Sequence, residues 1–337
     1  MSATVSTPLP GDNSRPGHDP GDPRMAITDG SVRAWLDDRG LLSLQGTDAA
    51  TFLHGQLSTD VAGLTAGESR LTSYSDARGR LLLVGRLYAE TDRFLLEIPN
   101  DRIEPVRQQL GKYVLRADVR IEDVSTALAR CAAAGHSAAI ALGAMVDTLP
   151  TEPGRSVSTD GGARIVRLAG PRPRWQINGE PGAVSAVWDQ LAGHTVEVDS
   201  SQWRLLDIEA GIPAVYAATA GHFVAQMLNL DRLGAIDFRK GCYPGQEVIA
   251  RTHYLGRIKR RMQLLQLSEH ADIPAPGTAV EQGDGKRVGE VVEGAPMPSE
   301  GCLVLAVIHN EADDPLTIDG QHAERRALPY SVEDEAA

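Results

Sequence analysis

Beyond Arg261 the chain reads as nothing but short strands, and that change of texture constrains the fold more than any other feature. Met262 to Leu267, Val288 to Val292 and Cys302 to Ile308 are apolar runs of strand length, and Asp284-Gly285 marks a tight turn before the second. An open sheet of roughly 60–70 residues would leave unpaired edges, so a small barrel or sandwich is the economical solution. Ahead of Arg261, strand-like and helix-like runs alternate instead. The chain is therefore expected to be composite.

In the upstream part, Leu41 to Leu44 reads as a strand, Thr47 as an N-cap, and Asp48 to Leu57 as a helix with Phe52, Leu53 and Leu57 on one side. Arg80 to Ala89 and Arg93 to Ile98 are strands joined by a polar turn, and Asp101 to Leu110 is a helix closed by Gly111. This order predicts an α+β unit with an antiparallel sheet. Ala127 to Ala144 is alanine-rich and predicts a helix, with Cys131 a small buried hydrophobe in it. A surface connection over 150–162 precedes strands at Ile165 to Leu168 and Arg174 to Ile177. Helices follow at Ala183 to Leu191 and Ser201 to Ala210, each with an orthodox stop signal. The expected division is a disordered tail over 1–30 and α+β domains over 31–125 and 126–258, either consecutive or interleaved. A β-barrel domain over 259–310, extending to about 329, and an acidic tail over 330–337 complete it.

A chain of 337 residues, 42% hydrophobic, is long enough for two or three cores. No run approaches the ~20 apolar residues of a spanning helix, and the opening residues lack an apolar signal-peptide core, so a cytoplasmic protein without a membrane partner is expected. Cys131, Cys242 and Cys302 are widely spaced, which excludes a disulfide framework and a local metal knuckle; no resident metal is expected. The net charge of −12 is concentrated at the ends, with eight acids against two bases over 311–337. That balance argues against direct nucleic-acid binding. A patch at Arg251, Arg257, Lys259, Arg260 and Arg261 is either a solvated strand edge or a place to meet phosphates or a polyglutamate tail.

The densest chemistry lies at Lys240-Gly241-Cys242-Tyr243-Pro244-Gly245-Gln246-Glu247. Pro244 suits the first turn of a helix running through Arg251, so Cys242 is expected just before a helix N-terminus, where free N–H groups and Lys240 favour anionic groups. Gly241 and Gly245 are expected to permit positive φ or close backbone approach. Glu247 in the first helical turn is favoured by the dipole alone. Three readings of Cys242 stay open: a nucleophile with His253 or His222 as base, a cluster ligand completed by another molecule, or a plain structural cysteine.

The segment K-G-C-Y-P-G-Q-E closely resembles the signature of the YgfZ family of folate-binding proteins, relatives of the glycine cleavage T protein. Asn229-Leu230-Asp231 and Gly234 to Phe238 precede it. Weaker matches at Gly46 to Ala49, Phe52-Leu53, Thr59-Asp60, Gly79-Arg80 and Ile208 to Pro213 extend the resemblance over roughly residues 31–310. It implies a T-protein-like, three-domain α+β architecture around a central cavity, with a small C-terminal β-barrel. It further implies an accessory protein for iron–sulfur cluster assembly or repair, supporting enzymes that include tRNA-modifying ones, with client iron–sulfur proteins or assembly factors as partners. The ligand would be tetrahydrofolate or a derivative, joined at times by a transient iron–sulfur cluster.

Cys242 would be the functional thiol. Glu209, Lys240, Gly241, Tyr243, Gly245, Gln246, Glu247 and Arg251 would bind the cofactor, with Glu209 on the pterin edge. The rival reading is a folate-dependent aminomethyltransferase. Two departures weigh on these expectations: Asp207 replaces the arginine of the relatives' R-x-E-A-G-like segment, and Arg107 stands where the T protein's aspartate would be. Asp101 and Glu104 lie at other offsets.

Overall fold

The computed structural model describes residues 26–27, 30–254, 256–267, 272–298 and 301–332. Of the tails expected over 1–30 and 330–337, residues 1–25, 28–29 and 333–337 lie outside it; within it Ile27 is buried in the core and Tyr330 donates to the Gly211 carbonyl at 2.7 Å, so both boundaries are corrected. The chain runs through β1 (Val32–Trp35), β2 (Arg39–Gln45), α1 (Ala49–His54), β3 (Ser69–Ser75), β4 (Leu81–Ala89), β5 (Arg93–Pro99), α2 (Ile103–Gly111) and β6 (Arg120–Asp123). Next come β7 (Ala129–Ala134), α3 (His136–Gly143), β8 (Ser156–Ser158), β9 (Arg164–Leu168), β10 (Arg174–Gly179), α4 (Pro181–Ala192), β11 (Val196–Val198), α5 (Ser200–Glu209) and α6 (Gln246–Tyr254). Six strands close the chain: β12 (Arg260–Leu267), β13 (Ala279–Gln282), β14 (Arg287–Pro296), β15 (Cys302–His309), β16 (Leu316–Ile318) and β17 (Gln321–Arg326).

Three sheets result. A five-stranded antiparallel sheet has the order β3-β4-β5-β2-β6, and a six-stranded sheet has the order β11-β1-β7-β10-β9-β8. Strand β1, from the front of the chain, thus belongs with the second sheet, pairing antiparallel to β7 and parallel to β11. The terminal strands form a closed six-stranded barrel, which decides between the barrel and the sandwich that the texture after Arg261 allows. Its interior holds Val280, Cys302, Val304, Ile308 and Leu316, all buried, and burial pushes the Cys302 thiol up to about 11. Helices α3 and α4 cover the six-stranded sheet over Cys131, Trp175, Val184 and Leu191. Helix α5 buries Trp203, Leu206 and Ile208 in a core shared with β14 and β15 residues such as Val292 and Leu305, joining the barrel to the rest.

The helix expected over Ala127 to Ala144 is corrected: its first half is the strand β7. β7 lies between β1 and β10, and Arg130 to Ala134 are all buried, so the small side chains let covering layers approach both faces. Pairing along two ladders overrides alanine's helix preference. Gly135, with φ +100°, ends the strand; a Cβ there would stand 2.5 Å from Ser31 Oγ. Helix α1 also differs from expectation. Its N-cap is Asp48, because Thr47 is held outward by two bonds to Asp118 Oδ2, and Leu57 lies beyond the helix in a bridge to Tyr74. No helix among the described residues is long and apolar enough to cross a membrane.

Candidate functional site

The signature segment is strapped to the first sheet at both ends. Lys240 Nζ donates to the carbonyls of His54 and of Leu57, the latter at 2.7 Å, and lies 4.6 Å over the Tyr243 ring. Burial pushes the Lys240 ammonium down to about 8, against the opposing pull of Asp60, Asp237 and Cys242. Tyr243 is buried, and its phenol is raised to about 12 for the same reason.

At the other end Gly245 has φ +79°, and a Cβ on it would stand 2.6 Å from Gly79 Cα in the β3–β4 turn. That turn also needs positive φ at Gly79. Gly245 thus has the positive φ and the close backbone approach expected of it. Gly241 does not: its φ is not positive, and a Cβ there would meet only His54 Nε2 at an ordinary 3.7 Å. Because Gly245 is left-handed, α6 begins at Gln246, two residues later than Pro244 suggests. Cys242 is exposed four residues ahead of it. Glu247 and Arg251 are exposed on α6, whose first turn holds the acid and whose last turn holds the base.

Segments that are scattered in the sequence converge here. Residues 54–60, Gly79 and 240–247 meet around the motif, while Asp231 and Arg261, joined by two bonds of 3.0 and 3.1 Å, tie its approach to β12. Arg261 is only 3% exposed, which removes it from the basic surface patch proposed for it. A buried carboxylate partner, not a phosphate, satisfies it. Of the two histidines considered as bases, His253 stacks on Phe238 at 3.8 Å and His222 bonds Glu290 at 2.7 Å. The imidazole set against the motif backbone is His54, with Nδ1 3.2 Å from Asp60 Oδ1.

A second feature lies between the two open sheets and α5: a cavity of about 60 Å³ lined by Arg39, Arg86, Glu97, Gln176, Arg204 and Asp207 among others. Gln176 donates to Glu97 Oε2, and Tyr88 donates to the same oxygen at 3.4 Å. Burial pushes the Glu97 carboxyl up, partly offset by Arg39 and Arg130. Asp207 accepts from Arg174 at 2.8 Å, and Arg204 reaches Asp38 at 2.9 Å while its Nε is buried with no hydrogen-bond partner among the described residues.

None of the eight residues expected to bind a cofactor lines this cavity. Asp207, two positions before Glu209 on α5, does; Glu209 is half-buried, with its carboxyl raised by burial and lowered by Arg172 and Arg174. The cavity residues escape sequence reading because the six named come from five different elements. A polar residue inside an apolar strand, such as Glu97 in β5 or Gln176 in β10, is the one signal that points to them. Arg107 forms an ion pair with Glu104 at 2.8 Å on exposed α2, and Asp101 accepts from Ala217 N at 2.7 Å. Among the described residues there is no group of three or more His, Cys, Asp or Glu placed to hold a metal.

No protein-family model matches the chain. Over 309 residues it is 31% identical to the tRNA-modifying protein YgfZ of Escherichia coli strain SE11, covering 89% of this chain and 93% of that protein. The tRNA-modifying protein YgfZ of Shigella boydii serotype 18 matches at the same identity and coverage. Among solved structures, the glycine cleavage system aminomethyltransferase T from Bartonella henselae superposes with a TM-score of 0.73 at 17% identity, covering 91% of this chain and 88% of that one. The architecture is therefore T-protein-like, with a closed C-terminal barrel. Sequence identity over nearly the full length of both chains goes further than shared fold, and it establishes that this chain belongs to the YgfZ family.

Proposed function

We propose that this chain is a cytoplasmic folate-binding accessory protein for iron–sulfur cluster assembly or repair, serving enzymes that include tRNA-modifying ones, and not a conventional enzyme. The observation that carries the reading is Cys242, an exposed thiol presented on a rigidly anchored loop built from the family signature. All three described cysteines are free, in keeping with a reducing compartment.

The reading puts tetrahydrofolate or a derivative in the central cavity, and the chemistry of the lining supports it. A carboxylate and an amide, Glu97 and Gln176, suit the donor-rich edge of a 2-aminopyrimidinone, and the unpartnered Nε of Arg204 offers a donor. Glu209 stays outside that contact set. As packed, about 60 Å³ holds only a few waters, so the pterin enters by displacing side chains such as Arg39 and Arg204. Folate chemistry, when the ligand is bound, would be one-carbon carriage; the chain's own residues bind and orient. The aminomethyltransferase reading lacks its acid, since Arg107, Glu104 and Asp101 are all engaged away from the cavity.

The test is a deletion strain complemented with wild type or Cys242→Ser, assayed for tRNA thiomethylation and for a [4Fe–4S] enzyme, alongside calorimetry with reduced folates. Binding in the micromolar range, about −8 kcal/mol, and loss of complementation by the folded Cys242→Ser protein are expected. Absence of heat with every folate, or ammonia release in a glycine-cleavage assay, would overturn the reading.

A further inference from the structure

The stretch from Phe238 to Arg260 reverses the sign of the chain, with six bases against one acid in a molecule of net charge −12. Lys240 is spent on the carbonyls of His54 and Leu57. Arg239, Arg251, Arg257, Lys259 and Arg260 are all exposed, and none of their side chains takes a hydrogen-bond or ion-pair partner among the described residues. Glu247, the one acid of the stretch, pairs with none of them. Uncompensated like charges repel one another, so this face gains by meeting an anion.

Ring contacts draw these cations together. Phe238, next to Arg239, stacks on His253 at 3.8 Å, which brings residues 237–239 against the end of α6 that carries Arg251. The segment after α6 is pinned to the end of β15, where Asn310 donates to the Ile258 carbonyl through Nδ2 at 2.7 Å and to the Lys259 carbonyl through its backbone N–H at 2.9 Å. The backbone carrying Lys259 and Arg260 is thus held while both side chains stay unpaired. Tyr254 meets Phe238 at 72° and His253 at 75°, so neither ring lies flat on it, and it is 65% exposed. On the other side of this group opens a concavity of about 440 Å³, whose wall includes Thr59, Asp237, Phe238 and Arg239.

Unpaired cations, an open aromatic ring and an adjoining space large enough for a planar heterocycle are complementary to a polyanion whose bases are unstacked. A duplex keeps its bases inside the stack and would use the cations alone. We propose that this face binds a single-stranded stretch of RNA. Its phosphates lie on the five cations, one base stacks on Tyr254, and another enters the concavity against Phe238 and Arg239, where the Asp237 carboxylate accepts from an exocyclic amino group. The choice of RNA over DNA rests on the tRNA-linked role proposed above.

Fluorescence anisotropy of the full chain with a labelled oligocytidylate of about 12 nucleotides, over a salt series, is the test. A dissociation constant in the micromolar range at low salt is expected, with log affinity falling against log salt at a slope of about −3.5, or about −0.7 for each phosphate held. Arg257→Gln combined with Lys259→Gln should flatten the slope to about −2. Tyr254→Ala should weaken binding about tenfold at an unchanged slope, which a surface acting through charge alone would not show. All three positions are exposed, so melting temperatures equal to wild type are expected. A flat salt series, an unaltered affinity in Tyr254→Ala, or an affinity for oligodeoxycytidylate equal to or above that for the RNA would overturn the proposal. Competition by a glutamate oligomer as strong as by unlabelled RNA of the same charge would do so too, giving the face to a polyglutamate tail. Full complementation by Cys242→Ser, with tyrosine-dependent RNA binding intact, would instead sink the accessory-protein reading and leave the RNA surface standing.

Discussion

Gly245 and Lys240 show how single positions hold the signature loop. Gly245 combines φ +79° with a backbone approach that leaves a Cβ 2.6 Å from Gly79 Cα. Gly245→Ala should cost about 1–3 kcal/mol from the backbone conformation alone, with the overlap adding to it, read as a lower urea midpoint. A midpoint equal to wild type would mean the loop relocates freely. Lys240 titrates at 10.5 in a model peptide and at about 8 in the fold. Between those values the unfolded chain keeps a proton that the folded chain has released, so unfolding free energy should rise with pH across about 8 to 10.5. Denaturation of wild type against Lys240→Gln over that range should give a difference that climbs with pH, and a flat difference would contradict the burial. At this scale the need for Gly245 was readable from its neighbours. The carbonyl partners of Lys240 were not, because they lie more than 180 residues away.

Secondary elements differ in how far their own residues decide them. Helices α4 and α5 follow their stop signals, and α5 carries a capping box of Asp199 and Gln202. Strand β7 and the polar strand β3 (Ser-Arg-Leu-Thr-Ser-Tyr-Ser) owe their state to pairing partners instead. The junction into β12 is another long-range device. Asn229, left-handed at φ 56°, donates to the Met262 carbonyl at 2.8 Å, and Asp231 meets the buried Arg261. Asp231→Ala would leave that cation in a largely desolvated site without its main counter-charge. A loss of about 3–5 kcal/mol in unfolding free energy is expected, and a loss below about 1 would show the pair to be no more than a surface contact.

Over the whole molecule, the charged central cavity is held at a cost to stability. The Glu97 carboxyl is raised by burial, so above pH 4.5 the folded chain retains a proton that the unfolded chain has lost, and stability falls as pH rises. Glu97→Gln should therefore gain stability over wild type between about pH 5 and 8, while reduced-folate affinity drops by about 1–3 kcal/mol. Parallel denaturation and calorimetry at the two pH values test both halves. Stabilisation without weakened binding would take Glu97 out of the folate contacts. Unaltered stability would mean that its arginine neighbours fully offset burial.

Read alone, the sequence determined a small all-β unit after Arg261, barrel or sandwich, the helices bounded by capping and stop signals, the need for glycine at Gly245 and the concentration of chemistry around Cys242. These depend on periodicity and turn geometry, which act over a handful of residues. Tertiary structure alone decided that an alanine-rich run is a strand, that Arg261 is buried, that Asp207 and not Glu209 borders the cavity, and that His54 stands beside Gly241. The cavity draws Arg39, Glu97, Gln176 and Arg204 from four elements and two sheets. Their meeting is a product of strand pairing across long separations, which no local window of residues encodes.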